Sequence, residues 1–159
     1  MRFALSGILA LLPLAVAAQT ATDNFDVRIT IAAECRIITA QDLDFGSAGV
    51  LSSAVDAAAM LQVACTNSTP YSIGLDQGLG VAATTTTRKM TSVAAQTINY
   101  RLFRDGGRTA NWGDTIGTDT VSGTGNGATQ SYTVYGRVLA QVTPAPGSYT
   151  DTVTITVTY

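Results

Sequence analysis

The chain has 159 residues, of which 13% are charged, a formal net charge of −2 and no histidine. So small a net charge gives no electrostatic reason to expect a nucleic acid or an anionic membrane as partner. The lack of histidine excludes Ser-His-Asp and Cys-His catalysis and every imidazole metal site. The length suits one domain with its own hydrophobic core.

The first residues have the features of a secretory leader. Arg2 supplies the positive start, residues 3–16 are largely apolar, and small side chains allow cleavage after Ala17 or Ala18. The apolar run is short for a membrane span and is interrupted by Pro13. We therefore expect residues 1–18 to be removed on export; a retained anchor helix is the alternative.

Directly behind the leader lies a segment with a strict two-residue alternation. Such a pattern is typical of a β-strand with one buried face. Its apolar side is formed by Phe25, Val27, Ile29 and Ile31, and its polar side by Asp26, Arg28 and Thr30. The end of the sequence alternates in the same way, with Val153, Ile155, Val157 and Tyr159 between threonines.

The alternating segment has two interpretations. It is either the first strand of its own sandwich, or it covers a strand edge on a neighbouring copy. Because the sequence stops at the final alternating stretch, nothing after that stretch is expected to cover its edge. An uncovered edge would leave an apolar groove and unpaired backbone N–H and C=O groups. We therefore favour donation to a neighbouring copy.

The rest of the chain favours β-structure. It is rich in Thr, Val, Gly and Ala, and β-branched side chains fit a pleated sheet. Clusters of Gly, Pro and Asp separate the extended stretches. After residues 25–32, strands are predicted at 35–40, 43–46, 60–65, 71–75, 86–91, 97–104, 130–139 and 149–159. Their number and spacing predict an antiparallel sandwich, in which 130–139 and 149–159 are neighbouring strands and no closing strand follows.

The two cysteines, Cys35 and Cys65, belong to a chain that we expect to be exported. An even count in an oxidising compartment favours one disulfide, and two unpaired buried thiols are the alternative. If the cysteines are bridged, no thiolate nucleophile remains.

Three patterns resemble functional motifs only weakly. Asp42 and Asp44 could form a hydrolytic pair, but a solvated strand edge fits them better. The glycine-rich stretch 122–127 lacks the Lys-Ser/Thr ending of a phosphate cradle and favours a flexible hairpin loop. Asp105 and Asp114 enclose a loop in which Ca²⁺ would need closer oxygen ligands, so an ordered loop pinned by a partly buried tryptophan is preferred.

Short motifs spread over nearly the whole chain carry a family resemblance. Each is weak alone, but their order and spacing are specific. They are Leu43-Asp-Phe-Gly46, Val63-Ala-Cys65-Thr66 before Pro70-Tyr71, Arg88-Lys-Met90, Asn99-Tyr100-Arg-Leu102-Phe103-Arg-Asp105, Trp112-Gly113-Asp114, Tyr135-Gly136-Arg137-Val138 and the run from Gln141 to Tyr159. With the alternating segment before Cys35, they make the sequence similar to the spore coat protein U domain family, the pilin type of archaic, Csu-type chaperone–usher pili.

The resemblance implies an all-β fold, an incomplete immunoglobulin-like antiparallel sandwich without its seventh strand. In such pilins a periplasmic chaperone lends a strand to the groove, and an outer-membrane usher exchanges it for the N-terminal strand of the next subunit. The implied division of this chain is a leader at 1–18, a donor strand at 19–33 and a pilin sandwich domain at 34–159.

The family roles carry over to three sets of residues. The resemblance implies a bridge between Cys35 and Cys65. The implied donor side chains are Phe25, Val27, Ile29 and Ile31. The implied acceptor groove is lined by Tyr132, Val134, Val138, Val153, Ile155, Val157 and Tyr159. No catalytic residue, metal or cofactor is implied, and no nucleophile–base pair supports a hydrolase.

The resemblance implies a structural subunit of an extracellular pilus that supports adhesion and biofilm formation. The expected partners are other pilin subunits, in a homopolymer or a mixed fibre, a periplasmic chaperone and an outer-membrane usher, without nucleic acid or small-molecule cofactor. The chain is expected to pass through the periplasm to the cell surface. Because the family includes proteins named for a spore coat, a coat role stays open, as does a self-complete secreted binding module.

Overall fold

The structure, a computed structural model, describes residues 18–159. All of the predicted leader except Ala18 lies outside the described residues. The chain divides into two units, a segment that ends at Thr30 and a domain at Ile31–Tyr159. Within the described residues no helix is long and apolar enough to cross a membrane.

The domain Ile31–Tyr159 consists of two antiparallel sheets. Five strands pair in the order β1-β2-β7-β5-β4 and three in the order β6-β3-β8. This confirms the predicted all-β antiparallel fold. The strands are β1 (Cys35–Ala40), β2 (Val55–Cys65), β3 (Pro70–Leu75), β4 (Arg88–Thr91), β5 (Thr97–Phe103), β6 (Val121–Thr124), β7 (Thr129–Val138) and β8 (Ile155–Thr158).

The core lies between the centres of the two sheets. β2 and β7 pair from Val55↔Val138 to Ala64↔Thr129 without a break, so their alternate side chains all face the same way. Leu61 and Val63 of β2 are buried on that face, opposite Ile73 of β3. Each such side chain contributes about 1.5–3 kcal/mol when fully buried, and the apolar alternation therefore fixes which face of each sheet points inward.

The prediction of a strand at 43–46 is wrong. These residues form no ladder in the structure. Leu43 and Phe45 instead pack into the core against Gly136 of β7, where an added Cβ would lie 2.8 Å from Leu43 and 2.9 Å from Phe45. The Phe45 ring also packs edge-on against the Tyr100 ring, with the two ring centroids 6.2 Å apart. The apolar pair was a correct sign of burial but not of strand pairing.

Two strand predictions had the wrong extent. β2 begins at Val55, five residues before the predicted start at residue 60. Alanines carry little β signal of their own, and the long ladder with β7 makes this stretch a strand. β8 covers only Ile155–Thr158 of the predicted 149–159, because β3 offers partners only as far as Leu75.

Two features of the sheet arrangement were not predicted from the sequence. Residues 130–139 and 149–159 were predicted as neighbouring strands, which is wrong: β7 belongs to the five-stranded sheet and β8 pairs with β3. The strand β6 was missed because it overlaps the glycine-rich stretch 122–127. Its Gly123 lies so close to Tyr71 that an added Cβ would be 2.6 Å from the ring.

One lateral side of the sandwich, between edge strands β4 and β6, is closed by the segment 104–120. Trp112 is 1% exposed, its indole N–H donates to the Ile73 carbonyl at 2.9 Å, and its backbone N–H donates to the Leu102 carbonyl at 2.9 Å. The segment therefore joins β3 of one sheet to β5 of the other. The sequence predicted a partly buried indole, and the structure buries it completely.

Arg88 holds the same side together from within. Its guanidinium is completely buried and donates four hydrogen bonds of 2.7–2.8 Å, all to backbone carbonyls. Burial lowers the pKa of Arg88 from its usual value, against the opposing effect of nearby Tyr100, Asp76, Asp114 and Asp151. The carbonyls belong to Leu75, Asp76, Thr85 and Trp112. One side chain therefore ties two connecting segments, 76–87 and 104–120, to the end of β3.

Replacing Arg88 tests this closure. Arg88→Met should lower the free energy of unfolding by about 3 kcal/mol or more, because it leaves several buried carbonyls without donors. Lys89→Met, at the neighbouring position whose ammonium reaches only the exposed Val81 carbonyl, should change it by less than about 0.5 kcal/mol. Urea unfolding with the disulfide kept intact measures both. Equal midpoints for the two variants would contradict the role given to Arg88.

Candidate functional site: the open side of the sandwich

The second lateral side lies between the outer edges of β1 and β8 and is called here the open side. β1 pairs only with β2, and β8 pairs only with β3, within the described residues. Cα atoms of β1 and β8 approach within 8 Å, yet no ladder joins them. Each strand therefore has a row of backbone N–H and C=O groups without a strand partner.

β8 presents an apolar face to this side. Ile155 and Val157 of β8, with Val153 just before the strand, pack against the core but are only half-buried, while the threonines between them are exposed. No charged residue lies in β8. An apolar, uncharged edge with incomplete burial is suited to a strand that brings its own apolar side chains and backbone partners.

β1 contributes a residue that the sequence reasoning did not include in the groove. Ile37 pairs with the fully buried Val63, so its side chain faces inward, yet it is 43% exposed. The alternation of Cys35 and Ile37 was the available signal. This alternation does not by itself place Ile37 in the groove, because nothing in the sequence marks β1 as an edge strand.

The disulfide forms between Cys35 and Cys65, as predicted, with their Cα atoms 4.1 Å apart. The two residues are also cross-strand partners in the β1–β2 ladder. The ladder continues one step further, since the Thr66 N–H donates to the Glu34 carbonyl at 2.9 Å and the Glu34 N–H donates to Thr66 Oγ1 at 3.1 Å. The start of β1 is thus fixed both covalently and by hydrogen bonds.

The residues predicted to line the acceptor groove separate into three groups. Val134 and Val138 of β7 are 9% and 3% exposed and belong to the core. Tyr132 is half-buried, and its hydroxyl lies 2.6 Å from that of Tyr71. Tyr159 lies just beyond β8 and is 58% exposed. Together with Val153 and with Ile155 and Val157 of β8, these residues keep their acceptor role as a prediction.

The predicted donor segment forms no strand in the structure, and neither sheet contains residues 25–32. A strand needs a partner for its backbone groups, and the two-residue alternation alone does not supply one. The apolar side chains are highly exposed: Phe25 87%, Val27 84%, Ile29 85% and Ile31 73%. Four exposed apolar side chains on one side of a short segment indicate a binding surface.

The approach to β8 is held by two carboxylates. Asp76 accepts hydrogen bonds of 2.9 Å from the N–H groups of Gly78 and Thr154. Asp151 accepts one of 2.8 Å from the Leu79 N–H and one of 2.7 Å from the Tyr100 hydroxyl. These bonds fix the position of the chain immediately before the open edge begins.

The pKa values of Asp76 and of the Tyr100 hydroxyl are shifted from their usual values. Burial of Asp76 favours the neutral acid, but the hydrogen bonds from Thr154 and Gly78 and the charge of Arg88 outweigh it and lower its pKa. Burial and the adjacent Asp151 carboxylate raise the pKa of the Tyr100 hydroxyl. Asp76 is therefore stabilised as an anion and Tyr100 as a neutral donor.

The aspartates of the weak sequence motifs, Asp105 and Asp44, stabilise loops. Asp105 accepts hydrogen bonds from the N–H groups of Thr109 and Ala110, the closer at 2.7 Å, and so orders the loop that precedes Trp112. These bonds, chiefly the one from Ala110, lower the pKa of Asp105. Asp44 caps the Gly46 N–H at 2.8 Å. Within residues 18–159 no three His, Cys, Asp or Glu side chains are grouped closely enough to hold a metal ion.

Comparison with known proteins gives two findings. The model of the Spore Coat Protein U domain matches residues 21–156. The fold is similar to a chain in the crystal structure of the CsuC–CsuE chaperone–tip adhesion subunit pre-assembly complex from archaic chaperone–usher Csu pili of Acinetobacter baumannii, with a TM-score of 0.59 and 26% identity. That match covers 82% of this chain and 40% of the other. No curated protein matches the sequence.

The pH dependence of stability tests the anchoring of β8. Because the pKa of Asp76 is lowered by folding, its contribution is complete above the unfolded-state pKa near 3.8 and is lost as the pH falls through the lower folded-state value. Asp76→Asn should therefore lower the free energy of unfolding by about 1 kcal/mol at pH 7 and by less at acidic pH. Asp42→Asn, at an exposed position, is the control. Urea unfolding of the variant and the unchanged chain, at pH 7 and at a pH below the unfolded-state pKa near 3.8, measures the loss of unfolding free energy. The same loss at both pH values would contradict the prediction.

Proposed function

Because the chain belongs to the Spore Coat Protein U domain family, we propose that it is a structural subunit of a surface fibre assembled by the chaperone–usher route. Each subunit would insert residues 25–31 into the open side of the next subunit. The subunit is exported through the periplasm and becomes part of an extracellular pilus.

One observation carries this proposal: within the described residues, β1 and β8 each have an unpaired outer edge, and the alternating segment 25–31 belongs to neither sheet. The open side has two strand edges and a half-buried apolar face on β8. The segment has four exposed apolar side chains at two-residue spacing. A head-to-tail contact between the two does not close on itself, and such contacts generate filaments.

The energetics favour a strand of this composition. Burial of four apolar side chains contributes about 6–12 kcal/mol in total. Ordering seven backbone residues costs about 1–2 kcal/mol each, so the apolar side chains and the backbone hydrogen bonds together leave only a small surplus. Each apolar side chain is therefore needed for stable assembly.

The proposed partners follow from the route. A periplasmic chaperone covers the open side before assembly, and an outer-membrane usher exchanges its strand for residues 25–31 of another subunit. The similarity to a structure described as a chaperone–tip adhesion subunit pre-assembly complex supports this choice. Support of adhesion and biofilm formation is the expected role of the fibre.

The alternatives to a pilus subunit make different demands. A self-complete secreted module would need the alternating segment within its own sandwich, whereas neither sheet includes it. A coat protein would use the same strand exchange, so it is separated from a pilus by the shape of the polymer in electron micrographs. Fibres of one-subunit width support the pilus, and flat arrays support the coat.

A charge on the apolar side of the segment should abolish assembly. Ile29→Asp removes one buried apolar side chain and introduces a carboxylate into an apolar groove, so polymer should fall by more than about 100-fold, corresponding to about 3 kcal/mol. The measurement is the ladder of heat-released polymers on a denaturing gel.

The matched control is Thr30→Asp, which adds the same charge at the next residue on the polar side. It should form ladders like the unchanged chain. If both variants assembled equally well, the alternation would not reflect donation of a strand.

A copy of the donor placed at the other end of the chain should convert the subunit to a monomer. β8 ends at Thr158 and pairs antiparallel with β3, so residues 21–32 repeated after Tyr159 behind a short Asn-Gly turn can form a hairpin with the open edge of β8. In a chain lacking its own residues 19–32, this copy should produce a monomer with a raised melting temperature and no ladder.

Two controls define that result. Deletion of 19–32 without the added copy should leave a chaperone-bound subunit that forms no ladder. The added copy with Ile29→Asp should give no thermal stabilisation. Undiminished ladders from the simple deletion would overturn the proposed function.

A further inference from the structure

The start of β1 and the end of β8 lie at the same end of the sandwich. Cys35 pairs with Cys65 at the end of β2, and Thr158 pairs with Ser72 near the start of β3. Only residues 66–69 separate the end of β2 from the start of β3. We call this end of the sandwich the disulfide end. β1 runs away from it, and β8 runs towards it.

A segment that pairs antiparallel with β8 must start at the disulfide end and run away from it. If residues 25–31 of the same chain did so, Ile31 would finish about 20 Å from that end, at 3.2–3.4 Å per residue. The chain would then have to return to Cys35 across four Cα–Cα steps, which span at most about 14 Å. The link 32–34 is too short for this return.

Insertion of residues 25–31 in the opposite direction, towards the disulfide end, is also disfavoured within one chain. It would require a hairpin with β1, and because Glu34 is already paired with Thr66, only Ala32 and Ala33 remain for the turn. Two-residue hairpin turns need positive φ and therefore Gly or Asn. Alanine in that conformation costs about 1–2 kcal/mol per residue, and neither alanine has positive φ in the structure. The resulting strand would also be parallel to β8, the weaker pairing.

The link cannot gain length by releasing the start of β1. Cys35 is bonded to Cys65, and Cys65 ends a strand whose ladder with β7 runs from Val55 to Ala64 in the centre of the sheet. Pulling Cys35 free would therefore disturb the most extensively paired strand of the domain. The anchor point of the link is fixed.

From this geometry we propose that the three-residue link 32–34, anchored by the Cys35–Cys65 bridge, prevents the subunit from filling its own open side. The segment 25–31 is thereby reserved for a second molecule. The proposal rests on the proposed function and adds to it the feature that selects an intermolecular partner over the chain itself. It predicts that link length, and not the donor sequence alone, decides between fibre and monomer.

A longer link should turn the subunit into a self-capped monomer. Twelve Gly/Ser residues inserted between Ala32 and Ala33 of the full chain span about 17–21 Å on average, enough for the return from the far end. A flexible link gives an effective concentration on the order of 1 mM, so at about 10 μM chain the self-capped form should exceed polymer on the order of 100-fold. Exported chain is unfolded with its bridge intact, refolded without chaperone, and measured by light scattering and gel ladders.

The control is the same insertion between Gln19 and Thr20, which leaves the link unchanged and should polymerise like the unmodified chain. In the long-link variant, residues 25–31 should resist protease, and Ile29→Asp should remove that resistance. Two results would overturn the role of the link but not strand donation: the long-link variant polymerises as much as the wild type, or it is a monomer whose protease resistance is unchanged by Ile29→Asp. If Ile29→Asp left the ladders of the chain with the normal link unchanged, strand donation itself would be overturned, and the role of the link with it.

Discussion

The unpaired edge of β8 is the constraint on which the rest of the structure depends. A sandwich has two lateral sides, and the groups exposed there must be paired, covered or left for a partner. Here one side is sealed from within by Arg88 and Trp112, which are almost completely buried and whose side chains donate to backbone carbonyls of β3. The side between β1 and β8 has no such cover within the described residues. The contrast between the two sides is what makes the open one the candidate site.

The disulfide has a place in this arrangement beyond general stabilisation. It joins the first residue of β1 to the last residue of β2, where the N-terminal segment meets the domain. A bridge in the middle of the sheets would add similar stability by constraining the unfolded chain. At this position it also fixes the origin of the segment, so the reach of residues 25–31 depends on the link 32–34 alone.

Much of the fold followed from local pattern, and the errors share one cause. The stretch 35–40 was predicted with the bounds that β1 has, because alternation and β-branched residues reflect burial of one face. Leu43 and Phe45 were recognised as apolar but placed in a strand, although they fill space above Gly136. For the candidate site, the alternation of Val153, Ile155 and Val157 is visible in the sequence, whereas the position of Ile37 beside the open edge is not, since edge position depends on the order of strands in the sheet.

By itself the sequence determined the all-β class, the disulfide-forming cysteines and the apolar alternation of residues 25–31, because periodicity and composition are local properties. Only the tertiary structure decided that β7 and β8 lie in different sheets, that β6 exists within a glycine-rich stretch, and that β1 and β8 are the uncovered edges. Those features depend on which strands meet in space. Residues far apart in the chain set that arrangement together, and no local pattern encodes it.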